Sequence, residues 1–405
     1  MWVSLGGGGT IAADRWLPKK LIYLELIESL LDGDGGESRA RTYLARDFPW
    51  LFEGEWELER WGLRRPRPPL SQSGADSLRG PTFPFPAFPR VLLPGVIWVL
   101  HFAQSLLRPR AGILVAYSPV MGTGAAAARF LRRRSPVLVV RITTDFWSSR
   151  ARMLGGRRLE PWIVQGLERF VLRRADLVLT MGPFTHEIVR RFGVPEERIL
   201  DLPRPTRWLG VDALPAEQDG QRHVAAAGRL VLDKAFDLLI AAFAKIAEQF
   251  PDVMLDIAGD GPERPNLQNL ATSLGIAARV RFHGWLSPDS MRGFYSGALI
   301  SALPSPLNEG LPTALLEAGL AGCALVGTDV GGIRDIVHPD RTGVLVPPNN
   351  PGALAEAIRT LLQDPERARR LGEGARAEAR AHFRRREAVV QQVRERLNAL
   401  RAVRR

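Results

Sequence analysis

Cysteine is almost missing from this chain. Cys323 is the one thiol, so no disulfide can close within the chain and no cysteine-based zinc cluster can form. Lysine is scarce as well: the 55 Lys plus Arg include lysine only at positions 19, 20, 234 and 245, so a lysine in a candidate ligand loop departs from the habit of the sequence. Long hydrophobic runs are also lacking. The most apolar stretch, residues 91–107, sits at the lower limit for crossing a bilayer and carries Pro94, His101 and Gln104, so it reads as a buried or interfacial helix. Residues 1–9 have no basic start and no adequate apolar core, which predicts no signal peptide and a cytoplasmic protein.

Arginine and aliphatic residues are abundant. The 405 residues, 45% hydrophobic, suit two domains with a core each. A net charge of +12 invites a nucleic-acid partner, but the arginines are spread along the chain without an aromatic-interleaved module, so no nucleic-acid function is read. Denser basic spots lie at 129–134, 169–174, 384–386 and 404–405. They are either solvated faces of an arginine-rich chain or a peripheral contact with anionic lipid at the inner face of a membrane.

The stretch Asn308-Glu309-Gly310-Leu311-Pro312-Thr313-Ala314-Leu315-Leu316-Glu317 sets two carboxylates around a turn that opens a helix. Pro312 suits the first helical position, where its missing N–H removes nothing, so the remaining amides and the positive end of the helix dipole face outward. Such a turn is built to receive an anion. Thr313 and Glu317 share a helical face, which lets Glu317 accept hydrogen bonds from ribose hydroxyls, while Glu309 lies nearer a sugar. The plainer alternative is a buried helix with acidic residues at its N-terminus and on a solvated face.

A second segment adds to the first. The apolar run at 223–227 is followed by Gly228-Arg229-Leu230-Val231-Leu232-Asp233-Lys234 and then by apolar positions 236, 238, 239, 242, 243 and 246, the order strand, basic loop, helix. Gly228 allows close backbone approach to a ligand, and Arg229 and Lys234 supply two cations able to flank a diphosphate. Two surface charges at a helix start would be the plain reading, but there they oppose the dipole.

Residues 223–363 resemble the donor-binding domain of the retaining glycosyltransferases of family 4, the GT-B type. The matches run in order: Gly228-Arg229 with Lys234, Ile257-Ala258-Gly259-Asp260-Gly261-Pro262, Val280-Arg281-Phe282-His283-Gly284, the Glu309 and Glu317 pair, Thr328-Asp329-Val330-Gly331-Gly332, and Thr342 through Pro348. Ala235 departs from the glycine the family usually carries after the lysine. The resemblance implies an α/β protein of two Rossmann-like, doubly wound parallel-sheet domains facing a cleft. Residues 1–208 would bind the acceptor and 209–385 the nucleotide sugar, with a linker near 203–221 and a final helix, 386–405, crossing back onto the first domain. It further implies donor contacts from Gly228, Gly259, Gly261, Pro262, Gly284, Asn308, Gly310, Leu311, Pro312, Thr313 and Glu317, with Arg229, Lys234 and Glu309 as the catalytic group. A dinucleotide fingerprint would want glycine where Arg264 stands, which disfavours a nicotinamide enzyme.

The first domain is harder to read. Residues 111–118, 136–140 and 175–180 are predicted strands, with an alanine-rich helix over 124–133 and a helix-like segment over 21–31. The serine the family often carries after the third of these strands is replaced by Met181-Gly182, and its Pro-Asn-Gly-Val-Asp segment is absent. Residues 62–90 read as an extended proline-rich loop. Acceptor candidates are Gly7 and Gly8, as a glycine loop after a first strand, and Asp145, just past a strand end. Asp32-Gly33-Asp34 reads as a turn rather than a metal site, and the histidines 101, 186, 283 and 338 show no ligand spacing.

The function expected is transfer of a sugar from a UDP- or GDP-linked donor to a hydroxyl of a glycan, lipid-linked or small-molecule acceptor. Retention at the anomeric carbon, no metal and no cofactor are part of that expectation. The alternative is a non-catalytic nucleotide-sugar-binding or scaffold protein with a degenerate acceptor domain.

Overall fold

A computed structural model describes residues 20–24, 57–61, 63–64, 83–84, 113–116, 119–128, 137–143, 160–203, 222–307 and 309–404. Short, mostly apolar segments alternate with helical ones, and the strands they form pair in parallel. In the first sheet these are β1 Lys20–Leu24, β2 Glu57–Trp61, β5 Ile113–Ala116, β6 Val137–Arg141, β7 Leu177–Thr180 and β8 Ile199–Asp201, ordered β2-β1-β5-β6-β7-β8. A separate pair, β3 Leu63–Arg64 and β4 Phe83–Pro84, lies between β2 and β5 in sequence. In the second sheet β9 Arg222–Ala227, β10 Val253–Ala258, β11 Val280–Gly284, β12 Ala298–Leu303, β13 Ala324–Thr328 and β14 Gly343–Val346 take the order β11-β10-β9-β12-β13-β14. Two parallel α/β domains result.

Helices fill the crossovers. They are α1 Pro119–Ala128, α2 Glu160–Arg174 and α3 Pro183–Arg191 in the first domain. The second has α4 Phe236–Ala244, α5 Arg264–Ser273, α6 Pro288–Ser296, α7 Thr313–Ala321 and α8 Pro351–Gln363, and α9 Pro365–Arg404 closes the chain. In the second sheet, Val224, Ala226, Leu255 and Ile257 pack on one face with residues of α4, α5 and α8, while Ala225, Ala227 and Ala258 pack on the other with α6, α7 and Ala375 of α9. This burial of both faces explains the near-continuous apolar strands. One uninterrupted helix, α9, includes residues 386–404, and Val393 and Leu397 join Val115, Val139, Leu177 and Leu179 in the core of the first sheet. Arg386 donates to the Pro203 carbonyl, and Arg396 Nη1 donates to the Glu197 carbonyl at 2.6 Å, fastening the crossing.

Several expectations need correction. The segment predicted as helix from residue 21 contains strand β1 instead, paired with both β2 and β5. An apolar run that short has no length to separate helix from strand, and distant partners decided it. Helix α1 begins at Pro119, ahead of the predicted 124, because Gly122 packs rather than breaks: a Cβ there would lie 2.6 Å from Val171 Cγ1 of α2. Within the predicted loop 62–90, β3 and β4 pair. The readings of residues 32–34, 91–107 and 204–221 lie outside the described residues, as do those of His101 and the basic spot at 129–134. Among the described residues, no helix is long and apolar enough to cross a membrane.

Candidate functional site

The loops after β9, β10 and β12 leave the carboxyl ends of three adjacent strands, the position where open parallel sheets take ligands. The first two are zipped together by backbone. Gly228 N–H donates to Ala258 O at 3.0 Å and Leu230 N–H to Asp260 O at 3.0 Å. Gly259 holds φ +127°, and a Cβ there would fall 1.8 Å from Gly228 O; one at Gly261 would fall 2.3 Å from Leu230 O. The space their missing side chains free is thus filled by the neighbouring loop, so anything they offer a ligand comes through backbone groups. Gly284, at φ +67°, accepts from Gly259 N–H at 2.7 Å, and Pro262 stays exposed.

Beyond Gly228 the chain carries exposed Arg229 and makes one tight turn, Leu232–Lys234, before Ala235 enters the left-handed region at φ 48° and α4 begins. Lys234 and Arg229 therefore precede the helix rather than occupy its first turn. Lys234 reaches across to the loop after β12 and pairs through Nζ with Oε1 of Glu309; the two side chains are 20% and 16% exposed. Ser305 Oγ donates to the same oxygen at 2.6 Å, and its own carbonyl accepts from Thr328 Oγ1 at the end of β13. Gly332 N–H donates to Glu309 O at 2.8 Å. Glu309 is thereby fixed through both its backbone and its carboxylate, and Lys234 is a cation already placed by a carboxylate.

Gly310, Leu311 and Pro312 are buried and lead into α7. Pro312 is the cap residue rather than the first helical one, with φ −73° and ψ 96°. The N–H groups of Leu315 and Leu316 donate back to Pro312 O at 3.1 and 3.3 Å, which places the amides of Thr313 and Ala314 at the open positive end of the helix. Thr313 and Glu317 are both half-buried, one turn apart. Burial, with a smaller contribution from the Glu317 charge, pushes the Tyr295 hydroxyl well above its ordinary value, so the carboxylate lies near that ring. Asn308, Gly7, Gly8 and Asp145 lie outside the described residues. Among the described residues no group of three His, Cys, Asp or Glu could hold a metal ion.

The sequence reading missed the contribution of Ser305 and Thr328, and it missed Asp256. The Asp256 carboxylate sits 2.6 Å from His223 Nδ1 and 2.7 Å from His283 Nε2, across three neighbouring strands. These histidine hydrogen bonds hold its carboxyl far below the ordinary carboxylate range against the opposing pull of burial. Ser305 lies between two prolines after an apolar strand, and Thr328 and His283 fall within matched motifs, which are the local hints these residues carried.

Two family descriptions match the chain: "Glycosyl transferases group 1" over residues 214–378 and "Glycosyl transferase 4-like domain" over residues 40–205. The alpha-D-kanosaminyltransferase of Streptomyces kanamyceticus is 29% identical over 296 residues, covering 69% of this chain and 75% of that protein. The D-inositol 3-phosphate glycosyltransferase of Xylanimonas cellulosilytica is 29% identical over 334 residues, covering 76% and 78%. Among solved structures, HepE of Anabaena in complex with UDP and glucose superposes with a TM-score of 0.68 at 18% identity, covering 94% of this chain and all of that one.

Proposed function

The chain belongs to the group 1 glycosyltransferases of GT-B fold, and from that premise we propose that it moves a hexose from a UDP- or GDP-linked donor to an acceptor hydroxyl with retention and without a metal. The observation that carries this reading is the Lys234 and Glu309 pair beside the open start of α7, drawn from the ends of adjacent strands. As the sugar departs, negative charge grows on the diphosphate. Lys234, Arg229 and the amides of Thr313 and Ala314 are the groups to meet it, and preorganised donors of this kind supply several kcal/mol of transition-state stabilisation. Glu309, with Ser305 on one oxygen, orients sugar hydroxyls. Glu317 takes the ribose, one turn further along α7.

Retention follows in this reading from attack on the face the diphosphate leaves, with the leaving phosphate taking the acceptor proton. A uridine base is supported by the UDP and UDP-glucose found with HepE. The acceptor class, whether glycan, lipid-linked or small molecule, follows the range of the family.

Thermal-shift titration against UDP-, GDP- and ADP-sugars, with and without chelator, tests the reading. A nucleotide-selective rise in melting temperature that survives chelator and fades in Lys234→Ala is expected, with glycosyl transfer down by roughly 10²–10³-fold in that variant. Binding that vanishes with chelator would overturn the metal-free part. An unchanged Lys234→Ala would overturn the assignment of the site.

A further inference from the structure

Helix α3 starts where the sequence replaces a serine by Met181-Gly182, and glycine has no side-chain oxygen to cap a helix. The cap comes from the other domain. Phe184 N–H, at the second position of α3, donates to Asp335 Oδ2 at 2.9 Å across 151 residues of sequence. Gly182 makes the room: a Cβ there would stand 3.2 Å from that carboxylate oxygen and 3.4 Å from Leu311 Cδ1 of the donor turn. Beside it Met181, 1% exposed, packs into the second domain's apolar cluster with Leu311, Ile333 and Ile336.

On the second-domain side Asp335 is tied to the site. Its N–H donates to Gly332 O at 3.2 Å, and Gly332 N–H donates to Glu309 O at 2.8 Å. Gly332 lies so close to the turn that a Cβ would meet Gly310 O at 1.8 Å. Three short links therefore join the start of α3 to the backbone of Glu309. Burial pushes the Asp335 carboxyl up to about 6, with the Phe184 amide pulling it down and Asp201 adding repulsion. The carboxylate is thus held where ionisation is unfavourable, and the amide it caps is its compensation.

We propose that Asp335 is a positioning residue: it supplies from the other domain the cap that α3 lacks and so fixes the acceptor domain against the Glu309 turn. The inference deepens the proposed function and rests on its assignment of that turn to the donor. Asp335 acts through α3 and not on the substrate, so its loss separates turnover from donor binding.

The test uses the full chain with Arg169→Cys and Asn269→Cys added, two exposed positions, one in each domain; Cys323 is fully buried and takes no label. Interdomain spin-label distances, kcat and donor KM are measured at pH 8 for the otherwise unchanged chain and for Asp335→Ala, Asp335→Asn and Gly182→Val. Asp335→Ala should broaden and lengthen the distance distribution and lower kcat by roughly tenfold or more, with donor KM within about twofold. Asp335→Asn keeps an acceptor oxygen and should recover much of kcat, which also covers the case in which the alanine variant fails to fold. Gly182→Val, which crowds the carboxylate and brings no capping oxygen, should shift the distances as the alanine variant does. An Asp335→Ala distribution matching the parent chain overturns the proposal. A fall in donor affinity that tracks kcat overturns it too, in favour of local support of the turn. If the parent chain transfers from no donor, the proposed function fails, while the distances alone still decide the role of Asp335.

Discussion

The two sheets share strand count and direction but not independence. Both faces of the second are covered mainly by helices from residues 236–383, its own surroundings in sequence. One face of the first is covered by α1, α2 and α3, and the other by Val393 and Leu397 from the far end of α9. The second domain therefore takes nearly all of its core from its own stretch of chain, with Met181 the one buried core residue lent by the first domain among the described residues. The first domain borrows a core wall from α9 and a helix cap from Asp335, so its position and its stability depend on the other half.

The largest effect that sharpens this contrast comes from Leu397→Ala. Removing a fully packed leucine should cost about 2–5 kcal/mol. The loss should fall on the first domain, with hydrogen exchange rising in β5, β6 and β7 while protection of β9, β10 and β12 persists. Equal loss of protection in both sheets would break the comparison.

Next in size is a pH effect where the halves meet. Burial, with Arg385 adding to it, pulls the His382 imidazole down to about 4. The folded chain then binds fewer protons than the unfolded one between about 6.5 and 4, so stability present above that window is lost as pH falls through it, on the order of 2–3 kcal/mol. Denaturant melts from pH 7.5 to 4 should show the loss, and His382→Gln should flatten it.

A smaller effect tests the second domain. Ser305→Ala removes one hydrogen bond to the Glu309 carboxylate, at about 1–2 kcal/mol. Expected is a roughly 5–30-fold fall in kcat/KM with an unchanged interdomain distance, in contrast to Asp335→Ala. The smallest is Ala235→Gly, which should raise stability by about 0.5–1 kcal/mol, because alanine at φ 48° is strained where glycine is not. Thermal melts would read it as a small upward shift.

The fold of the second domain was legible because its signals are local. Each of the stretches 253–258 and 324–327 is an apolar run closed by glycine or threonine, and Lys234 stood out against an arginine-rich background. What escaped depended on partners far away in sequence. Residues 20–24 became a strand through pairing with residues 57–61 and 113–116. The pairing of Asp335 with Phe184 has no trace in either segment alone, although the Met181-Gly182 step in place of the family's serine marked the place. Gly259 and Gly261 were recognised, but the backbone filling their side-chain space could not be read from one loop.

The crossing of α9 also sets an order of events. During synthesis β8 leaves the ribosome near residue 201, while Val393 and Leu397 follow roughly 190 residues later, about 10–40 seconds at ordinary elongation rates. For that interval the first sheet carries one apolar face with no cover, and the second domain can close before the first is finished. Birth order and folding order are reversed in this chain, and truncation within the last turns of α9 would leave the earliest-made half the least complete.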